Sequence, residues 1–167
     1  VKAVTDPAAM ARLMGASHSG FGGSLFGVAV FEDLQNPNIN SAYLAQGGLG
    51  LPDRDYYLKP DFAAQREAYL AYLTQTLTAI GWTNPAQSAA DILAFETKVA
   101  EKHWTTVERR QIDKIYNPAQ TADLAKLAPG FDWTAFLQGA QISDVPTIVL
   151  MENTAIPGIA QVFADTS

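Results

Sequence analysis

Between residues 46 and 58 the chain reads QGGLGLPDRDYYL, and the hydrophobic pattern differs on its two sides. Upstream, residues 25–31 and 39–45 are apolar runs of strand length, separated by the turn sequence Gln35-Asn36-Pro37-Asn38. Short apolar runs bounded by turn residues predict two antiparallel strands. Downstream, Phe62, Tyr69, Leu73, Leu77 and Ile80 fall at helical spacings. That predicts a helix over 61–80, with Asp61 as its cap and Gly81 as its stop.

The rest of the chain is mostly helical in pattern. Thr5-Asp6-Pro7 reads as a helix start, ending near Gly15, because Thr or Asp accepts from orphan amides and Pro suits the first turn. A glycine-rich connector, SHSGFGGSLFG, follows. Asn84-Pro85, with Gln87 three residues after the cap, opens a helix that carries Ile92, Phe95 and Val99 on one stripe to about Trp104. The short loop before it favours an antiparallel helix pair. Residues 106–116 extend the helical pattern, and Asn117-Pro118 and Pro129-Gly130 bracket a short helix with Leu124 and Leu127. Asp132 caps another through Phe136 and Leu137 to Gly139, residues 147–151 (TIVLM) have strand length, and Ile156-Pro157 opens a last short helix. The expected fold is mainly α, with a small β-hairpin and one further short strand, in a single domain over 1–167. A length of 167 residues suits one core, and 48% hydrophobic with 17% charged residues suits a globular chain.

Charge and composition exclude several functions. The net charge is −6, and Arg109-Arg110, the one basic doublet, is flanked by Glu108 and Asp113. That argues against a nucleic-acid or acidic-membrane surface. Without cysteine there is no disulfide, thiolate zinc site or cysteine nucleophile. No run approaches the roughly 18 apolar residues of a spanning helix. Val1 opens the chain without a start methionine or a signal pattern, so the chain reads as a mature or excised segment of something longer.

Local signatures of chemistry are sparse. Asp53 and Asp55 have the spacing of paired carboxylates or of a hard-cation loop. With Pro52 before them and Arg54 between, turn capping and local pairing are the commoner use. His18 and His103 are the only histidines, too few for a three-histidine zinc set. His18, in a Gly/Ser loop, reads as exposed; His103, beside Trp104, reads as half-buried and satisfied. No serine sits in a Gly-x-Ser-x-Gly elbow, and GFGG and QGGLG lack phosphate-loop spacing. Tyr43, Tyr56, Tyr57, Tyr69, Tyr72, Phe95, Trp104 and Tyr116 could line a groove, but their spacings suit packing of hairpin on helices.

QGGLGLPDRDYYL, preceded by a strand and an Asn-rich turn and followed by Arg66 and Tyr69 in R-x-x-Y spacing, resembles the M13 family of zinc metallopeptidases. These are the neprilysin-like and endothelin-converting-like enzymes, with the bacterial PepO-type oligopeptidases. ILAFETKVAEKHWTTVERRQIDKIYNP (92–118) is similar to the family's E-x-x-[IV]-A helix, H-W step and R-[RD]-x-x-K-x-Y-N stretch. APGFDWTAFL (128–137) and TIVLMENTAI follow in family order, and the resemblance covers about residues 20–160. Gln111 stands where many bacterial members have Asp.

All these motifs belong to the family's N-terminal, largely helical region. The resemblance implies that zinc sits further on, in a His-Glu-x-x-His helix with a downstream Glu-x-x-x-Asp, and that an Asn-Ala-[FY] segment binds substrate. None of the three is in this chain, and Glu96 and Glu101, upstream of His103, do not supply the pattern. No catalytic or metal residue carries over. The chain is expected to be the cap side of a zinc metalloendopeptidase, facing a thermolysin-like catalytic domain across a cavity that admits small peptides. Zinc, the missing domain and peptide substrates belong to that parent, in which a zinc-polarised water beside a glutamate base attacks the peptide carbonyl. An extracytoplasmic location is implied on the same ground. Gln46, Gly47, Gly48, Leu49, Gly50, Leu51, Pro52, Asp53, Arg54, Asp55, Tyr56 and Tyr57 are then a structural motif. Its glycines allow close approach, Pro52 fixes the turn, and Asp53, Arg54 and Asp55 satisfy backbone groups. The alternative is a stand-alone helical protein-interaction module without peptidase activity. Hydrolysis by Asp53 and Asp55 themselves comes third.

Overall fold

A computed structural model describes residues 4, 6–19 and 23–166. Helix α1 (Pro7–Ala16) begins where Asp6 Oδ1 accepts from the Ala9 amide at 2.8 Å, with Pro7 in the first turn. Thr5 and residues 20–22 of the glycine-rich connector lie outside the described residues. Strands β1 (Phe26–Glu32) and β2 (Asn40–Gln46) pair antiparallel, from Phe26 opposite Gln46 to Glu32 opposite Asn40.

A short helix α2 (Asp55–Leu58) leads through a 3₁₀ turn into α3 (Ala63–Ala79). Asp61 does not cap α3, because it lies inside that turn and Phe62 occupies the cap position. The helix stops before Gly81, whose φ of +68° suits a residue without Cβ. Helix α4 (Pro85–Lys102) packs on α3. Tyr69 in the first half of α3 meets Glu96 in the second half of α4, as an antiparallel pair requires. Asn84, at φ 52°, gives α4 no side-chain cap, and Gln87 bonds Asp91 instead.

Residues 106–116 do not continue the helix. Glu108 Oε2 accepts from the amide and hydroxyl of Thr105, and Thr105 Oγ1 accepts from the Glu108 amide. This capping box closes only a 3₁₀ turn, Glu108–Arg110. Beyond it Tyr116 donates to Asp33, fastening the segment to the hairpin end.

Asn117–Gln120 is a strand, β3, rather than only a turn before a helix. It takes the edge beside β4 (Thr147–Leu150), where Pro118 is tolerated because an edge strand need not donate on its outer side. β4 also pairs in parallel with β2, so the sheet has four strands in the order β1-β2-β4-β3. Helices α5 (Leu124–Leu127), α6 (Trp133–Gly139) and α7 (Ala155–Ala164) complete the fold. Asp132 caps α6 by accepting from the Ala135 amide at 2.9 Å.

The core gathers where α6 and α7 meet the sheet. Ala155, Ile156, Ile159, Ala160, Val162 and Phe163 are buried along one side of α7 at i, i+3, i+4 spacing. Phe26 on β1 packs edge-on to Phe131 at 5.0 Å and tilted against Trp133 at 4.7 Å. The buried Trp133 indole donates to the Ala128 carbonyl, so its N–H is satisfied. Against this core α3 is an outer layer, with no buried residue along its length.

Candidate functional site

Residues 46–57 leave the end of β2 and run across α4. Gln46 opens the stretch by bonding twice to the Trp104 backbone: its Oε1 accepts from Trp104 N at 2.8 Å and its Nε2 donates to Trp104 O at 3.2 Å. The Gln46 amide donates to Glu152 Oε2 at 2.8 Å, and Glu152 Oε1 accepts from Arg109 Nε at 2.8 Å. Glu152 is fully buried. It joins the hairpin, β4 and the 105–116 segment at one carboxylate.

The glycines are set by close approach. Gly48 has φ +87°, and a Cβ there would meet Leu25 Cδ2 at 2.7 Å. A Cβ on Gly50 would fall 1.9 Å from the Tyr69 hydroxyl. The Tyr57 hydroxyl accepts from the Gly50 and Leu51 amides at 3.0 and 2.8 Å and donates to Glu96 Oε2 at 2.7 Å. Tyr69 donates to the other oxygen, Glu96 Oε1, at 3.1 Å. Burial raises the Glu96 carboxyl above its ordinary pKa, opposed by the two tyrosine hydroxyls and the Gly50 backbone. Burial and then hydrogen bonds and charge, with Glu96 as the partner, raise Tyr57 well above the ordinary phenol range, and Tyr69 rises for the same reasons.

Asp53 and Asp55 act locally. Asp53 Oδ1 accepts from the Asp55 amide at 2.8 Å, while Asp55 pairs with Lys59 at 2.6 Å and more loosely with Arg54 at 3.8 Å. Arg54 Nε donates to the Ala100 carbonyl, and Arg66 Nη1 donates to the carbonyls of Tyr56 and Lys59. Tyr56 stacks on Phe62 at 4.2 Å.

The histidines stand apart in role. His103 Nε2 faces the Gly47 carbonyl at 2.9 Å, which fixes the proton on Nε2 in the neutral ring. Burial, then Arg109 and Arg54, push its pKa down to about 4 against the pull of the Gly47 bond. His18 is half-buried rather than exposed, edge-on to Phe136 at 5.9 Å, because its 3₁₀ turn folds back on α6. Among the described residues no group of three or more His, Cys, Asp or Glu could hold a metal. With one histidine turned to a backbone carbonyl and the other to an aromatic ring, the residues here do not fit a zinc centre.

Of the aromatic set, Tyr43 and Tyr57 are buried and Tyr72 is exposed. Phe95 lines an apolar cleft of about 660 Å³ with Met10, Leu13, Leu25, Leu49 and Glu96. Glu152 and the full role of Glu96 escape sequence reasoning. Each is an isolated carboxylate whose partners are distant in the chain, and the one cue is a charge directly after the apolar TIVLM run.

The family model for peptidase family M13 matches residues 1–167. Endothelin-converting enzyme 1 of Cavia porcellus is 37% identical over 116 residues, 67% of this chain and 15% of that protein. Neprilysin-3 of Drosophila melanogaster is 32% identical over 121 residues, 70% of this chain and 15% of that protein. The crystal structure of Mycobacterium tuberculosis zinc metalloprotease Zmp1 in complex with inhibitor superposes with a TM-score of 0.93 at 26% identity, over 99% of this chain and 26% of that one. The chain thus spans a small part of the length of the proteins it matches. Among the described residues no helix is long and apolar enough to cross a membrane.

Proposed function

Because the chain belongs to peptidase family M13 as part of its N-terminal region, we propose that it is the non-catalytic, cap-side domain of a zinc metalloendopeptidase that cleaves small peptides. In this reading residues 1–167 form one domain. It shapes the substrate chamber opposite a thermolysin-like catalytic domain carried elsewhere in the polypeptide, which supplies the zinc. The parent works outside the cytoplasm.

One observation carries the reading. The most distinctive stretch of the chain, Gln46 to Tyr57, directs its polar groups into the molecule: to Trp104, Glu152, Glu96, Ala100 and its own turns. Such a stretch serves as a brace, holding the hairpin to α4 and the end of β4. Its hydroxyl–carboxylate pair, Tyr57 on Glu96, is closed by the Gly50 and Leu51 amides.

The test compares the intact polypeptide with residues 1–167 alone, for zinc content and for turnover of a quenched fluorescent oligopeptide with and without chelator. Stoichiometric zinc and chelator-sensitive cleavage are expected only in the intact polypeptide. The same activity in residues 1–167 would overturn the non-catalytic assignment. An intact polypeptide with neither zinc nor cleavage would favour a stand-alone interaction module.

A further inference from the structure

β1 is an edge strand of the four-stranded sheet. Its register with β2 fixes which backbone groups point outward. Gly47 N donates to Leu25 O at one end of the hairpin and Asp33 N to Ile39 O at the other. Residues 25, 27, 29, 31 and 33 therefore face β2, and the N–H and C=O groups of Phe26, Val28, Val30 and Glu32 face away from it. At Phe26 the Ser24 hydroxyl closes the edge: it donates to the Phe26 carbonyl at 2.7 Å and lies 3.4 Å from the Phe26 amide. At the other end the Tyr43 hydroxyl donates to the Glu32 carbonyl at 3.3 Å, and no described strand pairs with the outward groups of Val28 and Val30 or with the Glu32 amide.

Edge strands that end at water are usually blunted by lysine, proline or a bulge. FGVAVFE contains neither residue, its one charge is Glu32 at the last position, and its register with β2 is unbroken over the whole strand. Its far end is apolar as well. Val30 is 59% exposed, and Phe31, Leu34 and Ile39 are exposed beside it. This sheet already recruits strands from far along the sequence, since β4 joins β2 in parallel. The same fold occurs in a Zmp1 chain of which it makes up only 26%.

We propose that β1 is a docking edge for an extended segment from the remaining polypeptide of the parent enzyme. The segment bonds the outward groups of Val28 and Val30 and the Glu32 amide, and it covers Val30. The proposal rests on the cap reading and names the surface through which the cap holds its neighbour.

Residue-resolved amide hydrogen exchange on the intact polypeptide tests it. An open edge gives alternation, with Val28, Val30 and Glu32 fast and Gly27, Ala29 and Phe31 slow. A covered edge removes it, bringing all six amides within about tenfold of one another. Hundredfold alternation would overturn the proposal. So would protection that fades on dilution, which marks a second copy, or protection that appears only with added peptide, which marks substrate. Val30→Pro removes an outward N–H without touching a bond to β2. It is expected to expose the neighbouring Val28 and Glu32 amides while Gly27 and Ala29 stay slow; unchanged protection of Val28 and Glu32 would count against docking. Peptide hydrolysis measured in the same preparation separates the two claims. Alternation with zinc-dependent activity sinks the docking edge alone, and uniform protection without activity sinks the cap reading alone.

Discussion

The Tyr57 hydroxyl donates to Glu96 at 2.7 Å while two successive amides, Gly50 and Leu51, donate to it. A phenol oxygen has one proton and two lone pairs, so this geometry uses its full capacity. Tyr57→Phe would leave two amides without their acceptor and Glu96 Oε2 without its donor, with Tyr69 still bonded to Oε1. The expected loss is about 2–4 kcal/mol, since an unmet buried polar group costs about 1–3 kcal/mol. Urea unfolding of the purified chain measures it, and a loss under about 0.5 kcal/mol would show that water replaces the hydroxyl freely.

Glu96 gives this cluster a pH dependence. Burial raises its folded pKa above the ordinary 4.5, so between the two values the native state holds the proton more tightly than the unfolded chain. Its contribution to stability is fully present below 4.5 and is lost as pH rises through the folded value. Glu96→Gln keeps an acceptor for one tyrosine and has no proton to lose. The stability of wild type relative to this variant should therefore fall as pH climbs from 4.5 towards neutrality. A difference that stays flat or rises over that interval would contradict the burial of this carboxyl.

His103 acts in the opposite sense. Its folded pKa of about 4 lies below the ordinary 6.5, so its contribution is present above 6.5 and is lost as pH falls through 4. His103→Gln retains an Nε2 donor for the Gly47 carbonyl and removes the titration. The variant should lose less stability than wild type between pH 6.5 and 4. Nitrogen-detected NMR at pH 6 should show a neutral ring protonated on Nε2; a charged ring at that pH would contradict the packing described above.

How far these contacts could be read from sequence depends on their range. Strand and helix periods act over a few residues, so the hairpin was legible to within one residue and α3 and α4 nearly so. The Asp6 and Asp132 caps were legible because a cap reaches only three residues. Asn117–Gln120, with a proline and no β-branched residue, is a strand only because β4 offers it an edge, and no local pattern encodes that. The loop 105–116 misled because its capping box closes one turn before Arg109 and Tyr116 are drawn to distant carboxylates. At the candidate site, a run of glycines signals close backbone approach, which Gly47, Gly48 and Gly50 make. The partners that define the site were not legible, because Tyr57 meets Glu96 across 39 residues and Gln46 meets Glu152 across 106.

Glu152 is where that long-range closure is most exposed to a single substitution. Its carboxylate is completely buried and has two donors, the Gln46 amide and Arg109 Nε, while Arg109 itself is half exposed. Glu152→Gln keeps an acceptor for the Gln46 amide but loses the charge pair, an expected cost of about 1–2 kcal/mol. Arg109→Gln is the harsher change, because it strands a buried carboxylate without its cation, at about 3–5 kcal/mol. The double variant should recover part of that loss, since a neutral glutamine at 152 no longer needs a cation. A double-mutant cycle read by denaturant unfolding should give a coupling of at least about 1 kcal/mol, and additivity within about 0.5 kcal/mol would mean that the two side chains stabilise the hairpin junction independently.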